Sequence, residues 1–309
     1  MAGNEGERPV VRVICGPTAA GKTHAATLCA QLADVAVVSA DSRQVYRGFD
    51  VGTAKPTTAD RLAAPHYGID VLEPTERASA AWWAAQADEW IRDAAARGRV
   101  PVVVGGTGLY LRALFGELFD EPPMDPERRA TFQSELDVLP SGELRRWVER
   151  LDPARAHLGR TQLLRAVEIA LLTGRRVSEL HQERRTLPRW RARYLVVDPG
   201  PGLAQQIRHR TRDMFSAGWG EEVRGLLQAV PLDAPAWNAS GYRTIVEMEQ
   251  GRITRQDAEE RVVIETRQYA KRQRTWFRHQ LTGADVTHVD FAGAPVLEQL
   301  EAWWRGAGA

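Results

Sequence analysis

Short runs of β-branched and small apolar residues alternate with longer helix-compatible stretches over the first 115 residues. Val10–Cys15 reads as a strand ending in a glycine-rich turn, and Lys22 to Leu32 as the helix that follows. Ala36–Ser39 reads as a second buried strand, with Asp41 just past its end. Ala78 to Arg97 predicts an Ala/Trp-rich helix stopped by Gly98. Pro101–Val104 predicts a third strand, running into Gly105-Gly106-Thr107, and Leu109 to Phe115 another helix. Apolar strands alternating with helices predict an α/β fold whose parallel sheet is covered on both faces. Ligands of such sheets bind beyond the carboxyl ends of the strands. There the glycine-rich turn, Asp41 and Thr107 are expected to converge.

The rhythm changes at Asp120-Glu121-Pro122-Pro123-Met124-Asp125-Pro126, a proline-rich acidic linker. From Glu127 to about Arg185 the apolar spacing is helical, as at Leu164, Val167 and Leu171, and no strand is evident. Arg193–Val197 reads as a strand returning to the sheet, and Leu203 to Gln280 as mostly helical; the tail beyond has too little pattern to assign. The expected organisation is a core of residues 1–119 and 190–309, with C-terminal helices, interrupted by a helical insertion domain over residues 120–189.

Composition narrows the picture. With 43% hydrophobic and 26% charged residues the chain is globular, and a formal net charge of +1 requires any nucleic-acid footprint to be local. Cys15 and Cys29 are the only cysteines, which excludes a disulfide framework or a Cys/His zinc site. The N-terminus lacks the apolar stretch of a signal peptide and no apolar run reaches membrane-spanning length, so a cytoplasmic protein is expected. No coiled-coil seam demands a dimer, and a monomer is expected.

Positive charge is concentrated twice. Arg155 to Arg189 holds eight arginines against three glutamates, and Arg267 to Arg278 five basic residues with no acid. Arg267, Lys271, Arg274 and Arg278 share one helix face. Such a stripe can track phosphates or simply be a solvated face, and its neighbours Tyr269, Trp276 and Phe277 can pack inward or stack on a base. Only three of 41 basic residues are lysines, Lys22, Lys55 and Lys271, and each falls in a motif-like segment. Arg and Lys are not interchangeable where a compact ammonium is needed.

Gly16-Pro17-Thr18-Ala19-Ala20-Gly21-Lys22-Thr23 fits G-x-x-x-x-G-K-[ST] between a predicted strand and helix, the context of a P-loop. Its backbone N–H groups and the helix N-terminus can cradle phosphate oxygens. Lys22 can reach the terminal phosphate, and the Thr23 hydroxyl can ligate Mg²⁺. The motif leaves open whether the phosphates belong to a nucleotide, as in a kinase, or to another diphosphate.

Further segments carry a resemblance. Ser39 to Pro56 (SADSRQVYRGFDVGTAKP), Gly105 to Tyr110, His66 to Pro74 (HYGIDVLEP), Thr173-Gly174, Gly218 to Val223, Gly241-Tyr242-Arg243 and Gln268 to Arg278 (QYAKRQRTWFR) follow the P-loop in order. In these the chain resembles the bacterial tRNA dimethylallyltransferases over nearly its whole length. The resemblance implies a P-loop NTPase-like core that binds dimethylallyl diphosphate with Mg²⁺. It also implies alkylation of N6 of the adenosine 3′ of the anticodon in tRNA. It makes Asp41 the base that takes the amine proton, with Thr107 beside it, and adds Arg243 to the P-loop's diphosphate contacts. Asp41 reads otherwise as a Mg²⁺ ligand or a helix N-cap, and Arg243 as a surface arginine. Implied tRNA contacts come from Asp41, Ser42, Arg43, Gln44, Thr107, Arg128, Thr161, Gln162, Arg165, Gly241, Tyr242, Arg243, Lys271, Arg272, Gln273 and Arg278. Gln44 can read an adenine edge, and Arg43 can fill a gap in the anticodon loop.

The chain departs from the family pattern at His157 to Arg165, where a His-Pro-Asn-Asp-x-Gln-Arg-like stretch keeps clearly only Arg165, and at Asn238-Ala239, in place of Arg-Cys. Both changes touch RNA recognition. Prenyl transfer to free adenine nucleotides, a small-molecule kinase and an inactive RNA-binding protein are the competing readings.

Overall fold

The computed structural model describes residues 8–116, 122, 124–183, 188–283, 285–290 and 296–306. The acidic linker is thus described only in part, and Arg184 and Arg185 lie outside the described residues. Two compact units emerge, Met1–Phe115 with Arg189–Ala309, and Gly116–Pro188.

The first unit is built on six parallel strands, β1 (Val10–Cys15), β2 (Val35–Ser39), β3 (His66–Tyr67), β4 (Val100–Gly105), β5 (Arg191–Val197) and β6 (Val286–Val289), in the order β3-β2-β4-β1-β5-β6. The helices before the insertion are α1 (Lys22–Cys29), α2 (Thr58–Ala63), α3 (Ala80–Ala96) and α4 (Gly108–Phe115). The second unit holds α5 (Pro126–Asp137), α6 (Ser141–Leu151), α7 (Arg160–Thr173) and α8 (Val177–Glu183). The chain then returns through α9 (Leu203–Ser216), α10 (Trp219–Leu226), α11 (Tyr242–Glu249), α12 (Arg255–Gln280) and α13 (Val296–Arg305).

Every residue of β2 is buried, as a parallel strand covered on both faces requires. The two strands the sequence does not announce, β3 and β6, are the sheet's edges. Short edge strands need few apolar residues and leave little pattern. Register decides the site: Cys15 lies opposite both Gly105 and Val196, and Ser39 opposite Val104. The carboxyl ends of β1, β2 and β4 are therefore level, and their three following loops emerge side by side.

A second core in this unit lies under the long turn after β2. Phe49, Trp219, Trp237 and Tyr242 are fully buried there, with the Phe49 ring 5.1 Å from Trp237 and 4.9 Å from Tyr242. Lys55 holds the turn shut: its buried ammonium donates to the Tyr46 carbonyl at 2.6 Å and to Asp50 and Asp70. Glu222 caps the same turn, accepting the Asp50 and Val51 N–H groups at 2.9 and 2.6 Å.

The second unit has its own core of Leu144, Val148, Leu163, Ala166, Val167 and Leu180. This corrects the expected stripe. Val167 is buried, but Leu171 is exposed and Leu164 half-buried, because the inward face of α7 runs through Leu163 and Ala166. Two acids are buried with full partnership. Glu168 accepts from Arg129 at 2.8 Å, from Gln133 at 2.6 Å and from Arg165. Asp152 accepts from the Ser178 N–H at 3.0 Å and hydroxyl at 2.6 Å.

Candidate active site

The P-loop curls between β1 and α1. Gly16 sits at φ 146°, and a Cβ there would lie 2.1 Å from the Val197 carbonyl oxygen, so only glycine lets the loop leave β1 beside β5. Ala19 and Gly21 also adopt positive φ, and Gly21 opens α1, whose first residues are Lys22 and Thr23. The Lys22 ammonium donates to the Pro17 carbonyl at 2.8 Å. Burial pushes its pKa down to about 8; Arg210 adds to the shift and Asp41 opposes it. Not every amide faces a phosphate: the Thr18 N–H donates to Gln273 Oε1 at 2.8 Å.

Asp41 leaves the end of β2. Its Oδ1 accepts the Arg43 N–H at 2.8 Å and the Gln44 N–H at 3.4 Å. The capping geometry foreseen for this residue is thus present, though a turn rather than a helix follows it. One carboxylate oxygen is committed to the backbone, and among the described residues nothing bonds the other. Thr107, at the end of β4, ties two loops together, its Oγ1 accepting the Ser42 N–H at 3.0 Å.

These loops open on a cavity of about 500 Å³ walled by α9, α11 and α12. Its polar lining includes Thr18, Asp41, Arg43, Arg210, Arg243 and Arg272, and its apolar lining Ile207, Met214, Trp219, Trp237 and Val262. Arg210 is the residue that sequence reasoning missed. A signal existed: it follows Leu203 and Ile207 at i+7 and i+3, on the inward face of α9. Among the described residues neither Arg43 nor Arg210 has an ion pair or side-chain hydrogen bond. Burial lowers the Arg210 pKa, partly offset by Asp41. A second carboxylate of the lining, Glu265, is engaged by the Gly241 N–H and the Thr244 hydroxyl; unpaired cations beside a P-loop, the Asp41 carboxylate and an apolar wall together suit an anionic ligand with a hydrocarbon part.

Other expected site residues are placed differently. The Gln44 amide is engaged within the protein: Oε1 accepts from the Ser39 hydroxyl at 3.0 Å and Nε2 donates to the Thr53 and Ala54 carbonyls at 3.3 and 3.1 Å. Tyr242 is fully buried and donates to Glu222 at 2.6 Å. Gly241 opens α11 with its N–H donating to Glu265 at 3.1 Å, which leaves Arg243 exposed at the cavity. Gln273 is buried; besides Thr18 it bonds the Gly106 carbonyl at 2.9 Å. Arg165 is committed to Glu168 inside the second unit, while Arg128, Thr161 and Gln162 are exposed there. On α12, Lys271, Arg272 and Arg278 are exposed, but Arg274 is paired with Asp198, which interrupts the expected stripe.

Among the described residues no helix is long and apolar enough to cross a membrane. The family model described as IPP transferase matches residues 44–280, and that described as isopentenyl transferase matches residues 9–64. The chain is similar to the tRNA dimethylallyltransferase of Deinococcus radiodurans, 38% identical with 95% of this chain and 97% of the relative covered. It is also similar to that of Thermomicrobium roseum, 42% identical over 91% and 87%. The crystal structure of the tRNA isopentenylpyrophosphate transferase of Staphylococcus epidermidis superposes with a TM-score of 0.67 at 30% identity, covering 96% of this chain and 98% of that one. A eukaryotic dimethylallyltransferase seen acting on tRNA superposes with a TM-score of 0.74 at 26% identity, over 87% and 70%. A P-loop, the Asp41 carboxylate and two unpaired arginines on one cavity are thus found in a chain that matches these enzymes over most of its length; it belongs to the tRNA dimethylallyltransferase family.

Proposed function

We propose that this protein transfers the dimethylallyl group of dimethylallyl diphosphate to N6 of the adenosine 3′-adjacent to the anticodon of tRNA, releasing diphosphate. The observation that carries the reading is that Asp41 faces the same cavity as Thr18 of the P-loop and the unpaired Arg43 and Arg210. The diphosphate lies against the P-loop amides, Lys22, Arg210 and Arg243, and the prenyl chain against the apolar wall. As the N6–C1 bond forms, the C1–O bond breaks and its electron pair leaves with the diphosphate. The amine proton passes to the free oxygen of Asp41. The cations stabilise the charge that grows on the leaving group.

The residues present fit Mg²⁺. Thr23 is exposed at the first turn of α1, and no cluster of three His, Cys, Asp or Glu able to hold a metal occurs among the described residues. A site of that kind suits an ion bound mainly through substrate phosphates and water, with one protein hydroxyl. Bound there, it neutralises diphosphate charge. The base must leave the stacked anticodon loop to reach the cavity, and the exposed Lys271, Arg272 and Arg278 are suited to the flanking phosphates. A monomer working in the cytoplasm completes the reading.

Purified protein, unmodified tRNA, dimethylallyl diphosphate and Mg²⁺ are expected to yield N6-prenylated adenosine by mass spectrometry of the nucleosides. No product with tRNA, but prenylated AMP, would overturn the choice of acceptor. Asp41→Ala is expected to slow the chemical step on the order of 10²–10⁴-fold while keeping tRNA affinity.

A further inference from the structure

Arg243 is one of the cations that meet the diphosphate in the reading above. A guanidinium fork matches phosphate oxygens well only when its backbone sets it at the right place and angle. The first turn of α11, which carries Arg243, is fixed from several sides. Gly241 opens the helix at φ 87°, and a Cβ there would lie 2.4 Å from the Trp219 ring, so the turn sits directly on α10. Tyr242 and Thr244, on either side of Arg243, are buried, while Arg243 is exposed at the cavity.

Glu265 of α12 engages that turn with both carboxylate oxygens. Oε2 accepts the Gly241 N–H at 3.1 Å, and Oε1 accepts the buried Thr244 hydroxyl at 2.7 Å. These partners stand two positions before Arg243 and one after it. A carboxylate is favoured there, because a helix N-terminus leaves N–H groups unpaired and carries partial positive charge. Among the described residues Glu265 forms no ion pair, so it holds the turn without neutralising a cavity cation. Arg243 itself is steered lightly: its Nη2 donates to Asn238 Oδ1 at 3.3 Å.

We propose that Glu265 is a positioning residue for diphosphate binding, clamping the first turn of α11 so that Arg243 meets the ligand of the P-loop. The inference deepens the prenyl-transfer reading, from which it takes the contact between Arg243 and the diphosphate.

The test is calorimetric titration of the full chain with inorganic diphosphate and Mg²⁺, beside thermal unfolding of each variant. Glu265→Leu removes both acceptors and is expected to weaken diphosphate about tenfold. Glu265→Gln keeps an oxygen for the Gly241 N–H and an amide N–H for the Thr244 oxygen, and is expected to bind within about twofold of wild type. Because Glu265 acts through Arg243, Glu265→Leu combined with Arg243→Leu is expected to bind no more weakly than Arg243→Leu alone. If Glu265→Leu does not fold, Thr244→Val takes its place. That change swaps one hydroxyl for a methyl and is expected to cost about threefold, again without adding to Arg243→Leu. Unchanged diphosphate affinity in the folded variant, full additivity with Arg243→Leu, or a loss in Glu265→Gln as large as in Glu265→Leu would overturn the proposal. Wild type that binds no diphosphate would overturn it as well. Wild type that binds diphosphate yet prenylates no tRNA would overturn only the reading beneath it.

Discussion

The cavity of the first unit and the core of the second handle charge in opposite ways. In the second unit buried Glu168 is met by Arg129, Arg165 and Gln133, and Asp152 by Ser178, so its charges are satisfied within the fold. At the cavity Asp41 faces Arg43, Arg210, Arg243 and Arg272, of which Arg43 and Arg210 have no ion pair or side-chain hydrogen bond among the described residues. Burying a cation without a partner is costly. A fold that keeps such cations beside a P-loop leaves their compensation to a ligand. The lesson is that counting arginines locates charge, and only pairing locates available charge.

Three changes would break or sharpen that contrast. Replacing Arg210 by Leu has the largest expected effect, a loss of roughly 10²–10³-fold in kcat/KM for the diphosphate. The variant is expected to melt no lower than wild type, since no internal pair is lost. A large fall in Tm with normal kinetics would place Arg210 among the structural arginines.

Arg165→Leu is expected to do the reverse. Glu168 loses one of its donors, at a cost of about 1–2 kcal/mol in chemical denaturation, discounted because the arginine is partly exposed and Arg129 and Gln133 remain. Activity per folded molecule is expected to persist. Weakened tRNA binding with unchanged stability would return Arg165 to the RNA contacts that the resemblance implied.

The smallest effect is on pH. Lys22 in the ligand-free protein titrates near 8, lowered mainly by burial. The charged form predominates below that value and is lost as pH rises through it, so KM for dimethylallyl diphosphate is expected to climb a few-fold between about pH 8 and 9. The sign follows from linkage: the anionic diphosphate raises the Lys22 pKa on binding, so the affinity gained from the charged ammonium is full below about pH 8 and fades as pH rises above it. A KM flat to pH 9.5 would show that Lys22 is not the titrating contact.

Much of this was legible in the chain. Four of the six strands, the P-loop and the position of Asp41 follow from apolar runs that end in glycines, because sheet burial and phosphate binding both impose local rules on sequence. Gln44, Tyr242 and Gln273 were legible as motif residues but not in their roles. Each is polar and stands in a motif, yet each directs its polar group to another part of the protein, and only the packed chain supplies the partner. Arg210 went unread because the apolar face of α9 that it shares becomes a cavity wall only when α9 meets α12.

The sequence by itself determined the parallel sheet, the glycine-rich turn after β1 and the family, since these rest on short-range patterns of residue type. Tertiary structure alone decided which charges are free. That depends on distances between residues such as Arg165 and Glu168, or Thr18 and Gln273, some local and some 255 positions apart, whose pairing is fixed by the level ends of the strands and the path of α12. Electrostatic and hydrogen-bond partnership acts over a few ångströms in space, and no one-dimensional pattern encodes it.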